Sequence, residues 1–250
     1  MRGLNGKNVI VTGGAGAIGT AICRRFAEYG AKVGVFDRNY EGAKKVAGEI
    51  KGFAHGTDIS DYKAVADGIA AFEKEAGPTD ILVNNAGWDQ FVPFIDTTPE
   101  LWTKIIAINL HGPLNMSHVV LKGMTARGHG RVVNIASDAG RVGSSLEAVY
   151  SACKGGIIAF TKTVAREVAR KGITLNAVCP GPTDTPLLAA AAGEGERGER
   201  MRAALVNAIP MKRVGQPDDI PGAVCFLASD DAAFITGQTI SVSGGLTMHG

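Results

Sequence analysis

The sequence predicts an α/β fold: a single doubly wound, largely parallel sheet of about seven strands with helices on both faces. Three observations carry that expectation. Short β-branched runs alternate with longer segments of helical period from one end of the chain to the other. A glycine-dense turn at residues 12–19 joins the first such run to the first helical segment. Apolar residues make up 45% of the 250, enough for one sizeable core, and no linker, internal repeat or second core interrupts the pattern.

The elements follow in order. Residues 9–12 read as the first strand, and residues 17–29 place Ile18, Ala21, Ile22 and Phe26 on one helical face. Residues 32–36 form the second strand, followed by a helix to about Ile50 and a short third strand at 53–56. A helix at 61–76 is ended by Gly77-Pro78. The fourth strand is 81–84, and a long helical stretch, 99–124, is weakened at Gly112-Pro113. The fifth strand is 131–135, a helix at 147–171 is closed by Gly172, and the sixth strand, 173–179, is stopped by Pro180-Gly181-Pro182. A helix at 217–228 and a final strand at 238–242 complete the chain. Right-handed crossovers between such strands wind the sheet both ways. Residues 189–202, rich in Ala, Gly, Glu and Arg, break the composition. They read either as a solvated surface helix or as part of a substrate lid at 185–210, within one domain spanning 1–250.

Composition narrows the partners. The net charge of +2 gives no reason to invoke nucleic acid or an anionic membrane. No apolar run approaches the roughly 18 residues of a membrane span, and no signal-peptide pattern opens the chain. Cys23, Cys153, Cys179 and Cys225 are too widely spaced for a zinc framework. No metal is therefore expected, and buried reduced thiols fit a cytoplasmic protein.

Gly14, Gly16 and Gly19 spell G-x-G-x-x-G between a strand and an amphipathic helix. Free N–H groups and the positive end of the helix dipole suit a pyrophosphate there, as in Rossmann dinucleotide sites. Asp37, 18 residues after Gly19, stands where a carboxylate accepts hydrogen bonds from an adenosine ribose. The same charge repels a 2′-phosphate, so NAD is expected over NADP. The neighbouring Arg38 is either an exposed charge or a contact to that phosphate. Asp58 and Ile59, after the third strand, are placed at the adenine edge; Asp58 equally suits capping of the next helix with Ser60 and Asp61.

Tyr150-Ser151-Ala152-Cys153-Lys154 holds the chemistry. Positions i and i+4 share a helix face, which sets the Lys154 ammonium beside the Tyr150 phenol. A nearby cation favours phenolate and lowers the phenol's pKa, so Tyr150 can exchange a proton with an alcohol or carbonyl oxygen. Ser137 follows the fifth strand, 13 residues before Tyr150, and its hydroxyl can hold the same oxygen. Asn109 lies in an apolar helix and needs partners, either backbone groups or a water that relays protons to Lys154.

Taken together, the 12–19 turn, Asn84-Asn85-Ala86-Gly87, Asn109, Ser137, Tyr150 with Lys154, and Pro180-Gly181 resemble the short-chain dehydrogenase/reductase family over essentially the whole chain. The resemblance implies a catalytic tetrad of Asn109, Ser137, Tyr150 and Lys154, with Tyr150 and Lys154 also meeting the cofactor. It implies cofactor contacts from Gly13, Ala17, Ile18 and Gly19, from Asn85, Ala86 and Gly87, and from Pro180, Gly181, Thr183 and Thr185. It also implies a homotetramer. One departure is visible: the family turn is usually Thr-Gly-x-x-x-Gly-x-Gly, and Ala17 replaces the middle glycine.

Within the family, residues 84–89, 138–149, 179–185 and 234–248 resemble members that oxidise 2-hydroxycyclohexanecarboxyl-CoA. This implies an NAD-dependent oxidoreductase acting on a cyclic β-hydroxyacyl-CoA, with Trp88, Val142, Gly143 and Leu187 lining the substrate slot. Arg141 is either an exposed charge or a contact to a CoA phosphate. Two alternatives are an NADP-dependent 3-oxoacyl-ACP or 3-oxoacyl-CoA reductase and a catalytically silent NAD-binding sensor or scaffold.

Overall fold

The computed structural model describes residues 1–192 and 195–248. Strands β1 (Asn8–Thr12), β2 (Lys32–Asp37), β3 (Phe53–Gly56), β4 (Ile81–Asn84), β5 (Gly130–Ile135), β6 (Ile173–Pro180) and β7 (Thr239–Val242) form one sheet in the order β3-β2-β1-β4-β5-β6-β7. Every pairing is parallel. The order reverses direction between β1 and β4, which opens a crevice at the C-terminal edge of the strands.

Helices α1 (Ala17–Glu28), α2 (Tyr40–Ile50), α3 (Tyr62–Ala76), α4 (Pro99–Ile106) and α5 (Gly112–Arg127) lie in the first half of the chain. The second half carries α6 (Ala139–Val142), α7 (Ala148–Val168), α8 (Pro186–Ala192), α9 (Gly195–Ala208) and α10 (Pro221–Ala228). Among the described residues, no helix is long and apolar enough to cross a membrane.

Strand alternation divides the core between two faces. Val9, Val11, Val33 and Val35 pack with Ile22 and Phe26 of α1 and Val224 and Leu227 of α10. Ile10 and Leu82 point the other way, to Val65, Ile69 and Phe72 of α3 and Met116 and Val120 of α5. A polar seam crosses this second region. Asn84 Nδ2 donates to Ser117 Oγ (3.0 Å) and to Asn134 Oδ1 (2.8 Å), and Asn134 Nδ2 donates to Thr161 Oγ1 (2.8 Å). It ties β4 and β5 to α5 and α7, so the strand ends and the α7 helix share one frame.

Three boundaries differ from expectation, each for a stated reason. The long helical stretch does not weaken at Gly112-Pro113 but one turn earlier, where Ala107–His111 is a π turn. Pro113 has no N–H for the carbonyl four residues before it, Asn109, so the ladder loosens there. The 217–228 segment is a 3-10 turn, Pro217–Asp219, followed by α10, because Pro221 cannot donate back to Pro217. The 147–171 segment is α helix to Val168 and 3-10 over Ala169–Lys171, closed by Gly172 at φ +68°.

The seam gives a stability prediction. Asn134→Ala removes one partner from the buried Asn84 amide, which keeps Ser117, and one from the Thr161 hydroxyl, which keeps the Ile157 carbonyl, and should cost about 1–3 kcal/mol in denaturant unfolding. A loss below about 0.5 kcal/mol would show that the seam does not hold the two halves together.

Candidate active site

The turn after β1 is shaped by backbone geometry. Gly13 sits at φ +63°, and a Cβ there would come 2.8 Å from the Ala86 Cα. A Cβ at Gly19 would collide with the Gly13 carbonyl oxygen. At Gly16 the nearest atom is that same oxygen at 3.3 Å. The turn therefore depends on Gly13 and Gly19 more than on Gly16. Ala17 opens α1 as an ordinary helical residue.

Thr12 locks this turn to the loop after β4. Its Oγ1 accepts from the Asn85 and Ala86 N–H groups, both at 3.0 Å, while Asn85 Nδ2 donates to the Thr12 and Gly13 carbonyls at 2.9 and 3.2 Å. Asp37, at the tip of β2, accepts from the Ala15 N–H (3.1 Å) and the Asn39 N–H (2.8 Å). Asp58 accepts from the Ser60 N–H and Oγ, and α3 is capped by Asp61 alone. The capping alternative for Asp58 is thus corrected: Asp58 lines the crevice, and its hydrogen bonds from the Ser60 hydroxyl and N–H, with a smaller contribution from Arg38, hold its carboxyl below the usual range.

A cavity of about 1100 Å³ runs along this edge. Gly13, Ala17, Ile18, Gly19, Asp37, Asp58 and Ile59 line one end. Asn85, Ala86, Gly87, Ser137, Tyr150 and Lys154 line its middle, and Pro180, Gly181, Thr183 and Thr185 its floor. Trp88, Val142, Gly143 and Leu187 form the far wall with Phe91 and Leu205. Its volume exceeds the roughly 300–1,000 Å³ of a pocket for one small ligand. Helices α8 and α9 flank the mouth, and Arg202 of α9 pairs with Asp184 at 2.9 and 3.1 Å.

Asn109 does not line the cavity. It is fully buried and clamps the loop behind it: Nδ2 donates to the Trp88 carbonyl (2.6 Å) and the Ile105 carbonyl (2.9 Å), and the Trp88 N–H donates to Oδ1 at 3.3 Å. Gly87 stands between this amide and the lysine. A Cβ there would lie 3.1 Å from Asn109 Oδ1 and 3.5 Å from Lys154 Nζ. Arg141 donates to Ser241 Oγ at 2.9 Å, and Ser241 donates to Asp138.

Lys154 is 2% exposed, and its Nζ donates to the Ile135 carbonyl at 2.9 Å. Burial pushes its pKa down to about 8. Nζ lies 5.4 Å from the centre of the Tyr150 ring. The expected lowering of the Tyr150 pKa is not found. Burial raises it first, the Glu147 charge adds to that, and only the Ser137 hydroxyl pulls it down. Desolvation of the phenol is the largest cause. Two further carboxyls, Asp138 and Glu147, line the cavity without having been expected there, although both lie close in sequence to predicted site residues.

The turn, the carboxylate at β2 and the serine, tyrosine and lysine around one crevice decide the comparison with known proteins. The family model described as enoyl-(acyl carrier protein) reductase matches residues 13–247. Acetoacetyl-CoA reductase of Rhizobium meliloti (strain 1021) is 45% identical over 237 residues, covering 94% of this chain and 96% of that one. The chain belongs to the short-chain dehydrogenase/reductase family. Further short-chain dehydrogenase/reductase relatives include the 3-oxoacyl-(acyl-carrier-protein) reductase of Vibrio cholerae, 37% identical over 249 residues, covering 98% of this chain and 99% of that one. The crystal structure of 3-ketoacyl-(acyl-carrier-protein) reductase from Brucella melitensis complexed with NADH superposes with a TM-score of 0.90 at 32% identity, covering 98% of this chain and 100% of that one. The chain is thus an oxidoreductase of the hydroxyl–ketone type with a nicotinamide cofactor. The narrower likeness to enzymes of 2-hydroxycyclohexanecarboxyl-CoA is not shown by these relatives.

The glycine cradle fits a dinucleotide, since a Cβ at Gly13 or Gly19 would fill it. Gly19→Ala should weaken NADH binding at least about tenfold by calorimetry, while Gly16→Ala should change it less than about threefold. Equal losses in both variants would contradict the assigned turn geometry.

Proposed function

We propose that the chain interconverts a 3-oxoacyl thioester and its 3-hydroxyacyl form, with NADH as the preferred reductant. The grouping of Ser137, Tyr150 and Lys154 at one wall of the crevice carries the reading. The relatives named as acetoacetyl-CoA and 3-oxoacyl-(acyl-carrier-protein) reductases support a β-keto thioester as substrate.

When bound, the nicotinamide ring supplies or accepts the hydride. The protein's own part is proton handling and charge. In reduction the Tyr150 hydroxyl donates its proton to the former carbonyl oxygen, and in oxidation the phenolate takes it back. The raised pKa of the phenol keeps it protonated at neutral pH, the form that can donate in reduction. The Ser137 hydroxyl holds the same oxygen. The Lys154 ammonium opposes the negative charge left on Tyr150, at full strength because little water surrounds it. Asn109 keeps Trp88 and Gly87 in place and thereby keeps open the space beside Lys154. Helices α8 and α9 act as the lid over the substrate end.

Two features support NADH over NADPH. Asp37 presents a carboxylate at the ribose position, and residues 13–19 contain no lysine or arginine to hold a 2′-phosphate. A cyclic acyl group is a second reading, supported by the apolar wall of Trp88, Phe91, Val142 and Leu187. The silent sensor is disfavoured by the assembled serine, tyrosine and lysine.

A steady-state screen of linear and alicyclic 3-oxoacyl-CoAs with NADH and NADPH tests the reading; turnover of none of them would refute it. Tyr150→Phe should lower turnover at least about 100-fold and leave NADH binding intact. Asp37→Ala should raise the NADPH-to-NADH ratio of kcat/KM at least about tenfold, and an unchanged ratio would remove Asp37 from cofactor choice.

A further inference from the structure

Asp89 is the most unusual buried charge outside the residues already assigned. It is 5% exposed, and both carboxylate oxygens are closed off from solvent without a well-aligned hydrogen bond. The backbone N–H of Gln90 lies near enough to favour the charged form, but it is outweighed. The side chain that Asp89 meets is another carboxyl, Glu147, which also interacts with the Ser144 hydroxyl. Asp89 and Glu147 together line a small void of about 10 Å³ behind the main cavity. Glu147 also lines the main cavity itself.

Two ionised carboxylates are acceptors only. With Asp89 shut off from water and Glu147 half-buried beside it, the two charges repel and the Asp89 oxygens are left unsatisfied. One proton placed between them removes both costs, as in other carboxyl pairs that titrate as a unit. Their location matters for the proposed reaction. Glu147 immediately precedes α7, and Tyr150 lies in the first turn of that helix.

We propose that Asp89 and Glu147 share a single proton at neutral pH and act together as a positioning pair that sets the charge felt by the Tyr150 hydroxyl. With the proton in place the pair carries one negative charge; when the proton leaves it carries two. The second charge opposes phenolate and keeps Tyr150 protonated to higher pH. Burial and the neighbouring Glu147 push the Asp89 carboxyl up to about 7, so the change falls in the working range.

Other groups around the pair set the background. Tyr150 and Cys153 belong to α7, with Lys154 behind them, and Cys179 lies near the end of β6. Lys104 of α4 stands 3.6 Å over the ring of Trp88, the residue before Asp89. None of these is a third carboxyl able to share the proton.

The pair has a direct spectroscopic test, and its kinetic half rests on the proton-transfer role proposed for Tyr150. At about pH 6, solvent-exposed carboxyls are ionised, so an infrared C=O stretch from a protonated acid reports a buried pair. The wild-type protein should show that band, it should fade as the pH rises through about 7, and both Asp89→Asn and Glu147→Gln should remove it. In either variant the high-pH limb of kcat/KM for ketone reduction should move down by about one unit, because the added charge against phenolate is lost. Absence of the band in the wild type, or its survival in both variants, would overturn the shared proton. A band lost as expected with an unmoved limb in both variants would overturn the effect on Tyr150. If the proposed reaction fails altogether, the infrared band still decides for or against the shared proton.

Discussion

Burial of the Lys154 ammonium against one backbone carbonyl is the constraint around which the rest of the site is arranged. A charge with so little water beside it is costly to keep, and that cost shows as a pKa pushed down to about 8. The same burial extends its reach. In a poorly solvated crevice the ammonium acts strongly on any negative charge that develops on Tyr150 or a substrate oxygen. The Ile135 carbonyl at the end of β5 holds Nζ, and Gly87 leaves space next to it. A single methyl added at Gly87 would press on Asn109 and come into contact with Lys154.

The fold serves this arrangement by fastening separate strand ends to one another. Thr12 binds the turn after β1 to the loop after β4. Asn109 binds that loop to the π turn, and the Asn84–Asn134–Thr161 seam binds β4 and β5 to α7. Each link is a buried side chain hydrogen-bonded across elements, so the crevice walls keep a fixed spacing without a bound ligand. The substrate end is built differently. Its walls come from α6, α8, α9 and the loop after β4, with apolar side chains such as Val142 59% exposed. The turn end of the crevice is therefore braced by buried hydrogen bonds, and the opposite end is walled largely by apolar side chains.

How much of this could be read from residue order follows from the range of the forces involved. Strands such as β1 and β4 announce themselves because parallel strands buried on both faces need continuous apolar runs. The pairing of Tyr150 with Lys154 is equally local, since helix periodicity alone brings them to one face. Asp37 and Gly19 are legible for the same reason: the turn and the strand tip constrain them. What residue order does not reveal is desolvation. The sign of the Tyr150 shift depends on how much water the folded crevice excludes, and that is set by residues distant in sequence. The π turn at Asn109 is an intermediate case. Pro113 signals a disturbance, but the carbonyl it leaves unpaired lies four residues earlier, and the distortion appears there. Asp89 and Glu147 meet only through tertiary packing, so residue order does not pair them.

The most direct measurement of the central constraint is an NMR titration of the Lys154 side chain in protein labelled at lysine, assigned by the signal missing from Lys154→Met. A midpoint near 8 is the result the account predicts. A midpoint at the ordinary lysine value of about 10.4 would mean that water reaches the ammonium freely, and the electrostatic basis of the site would be lost.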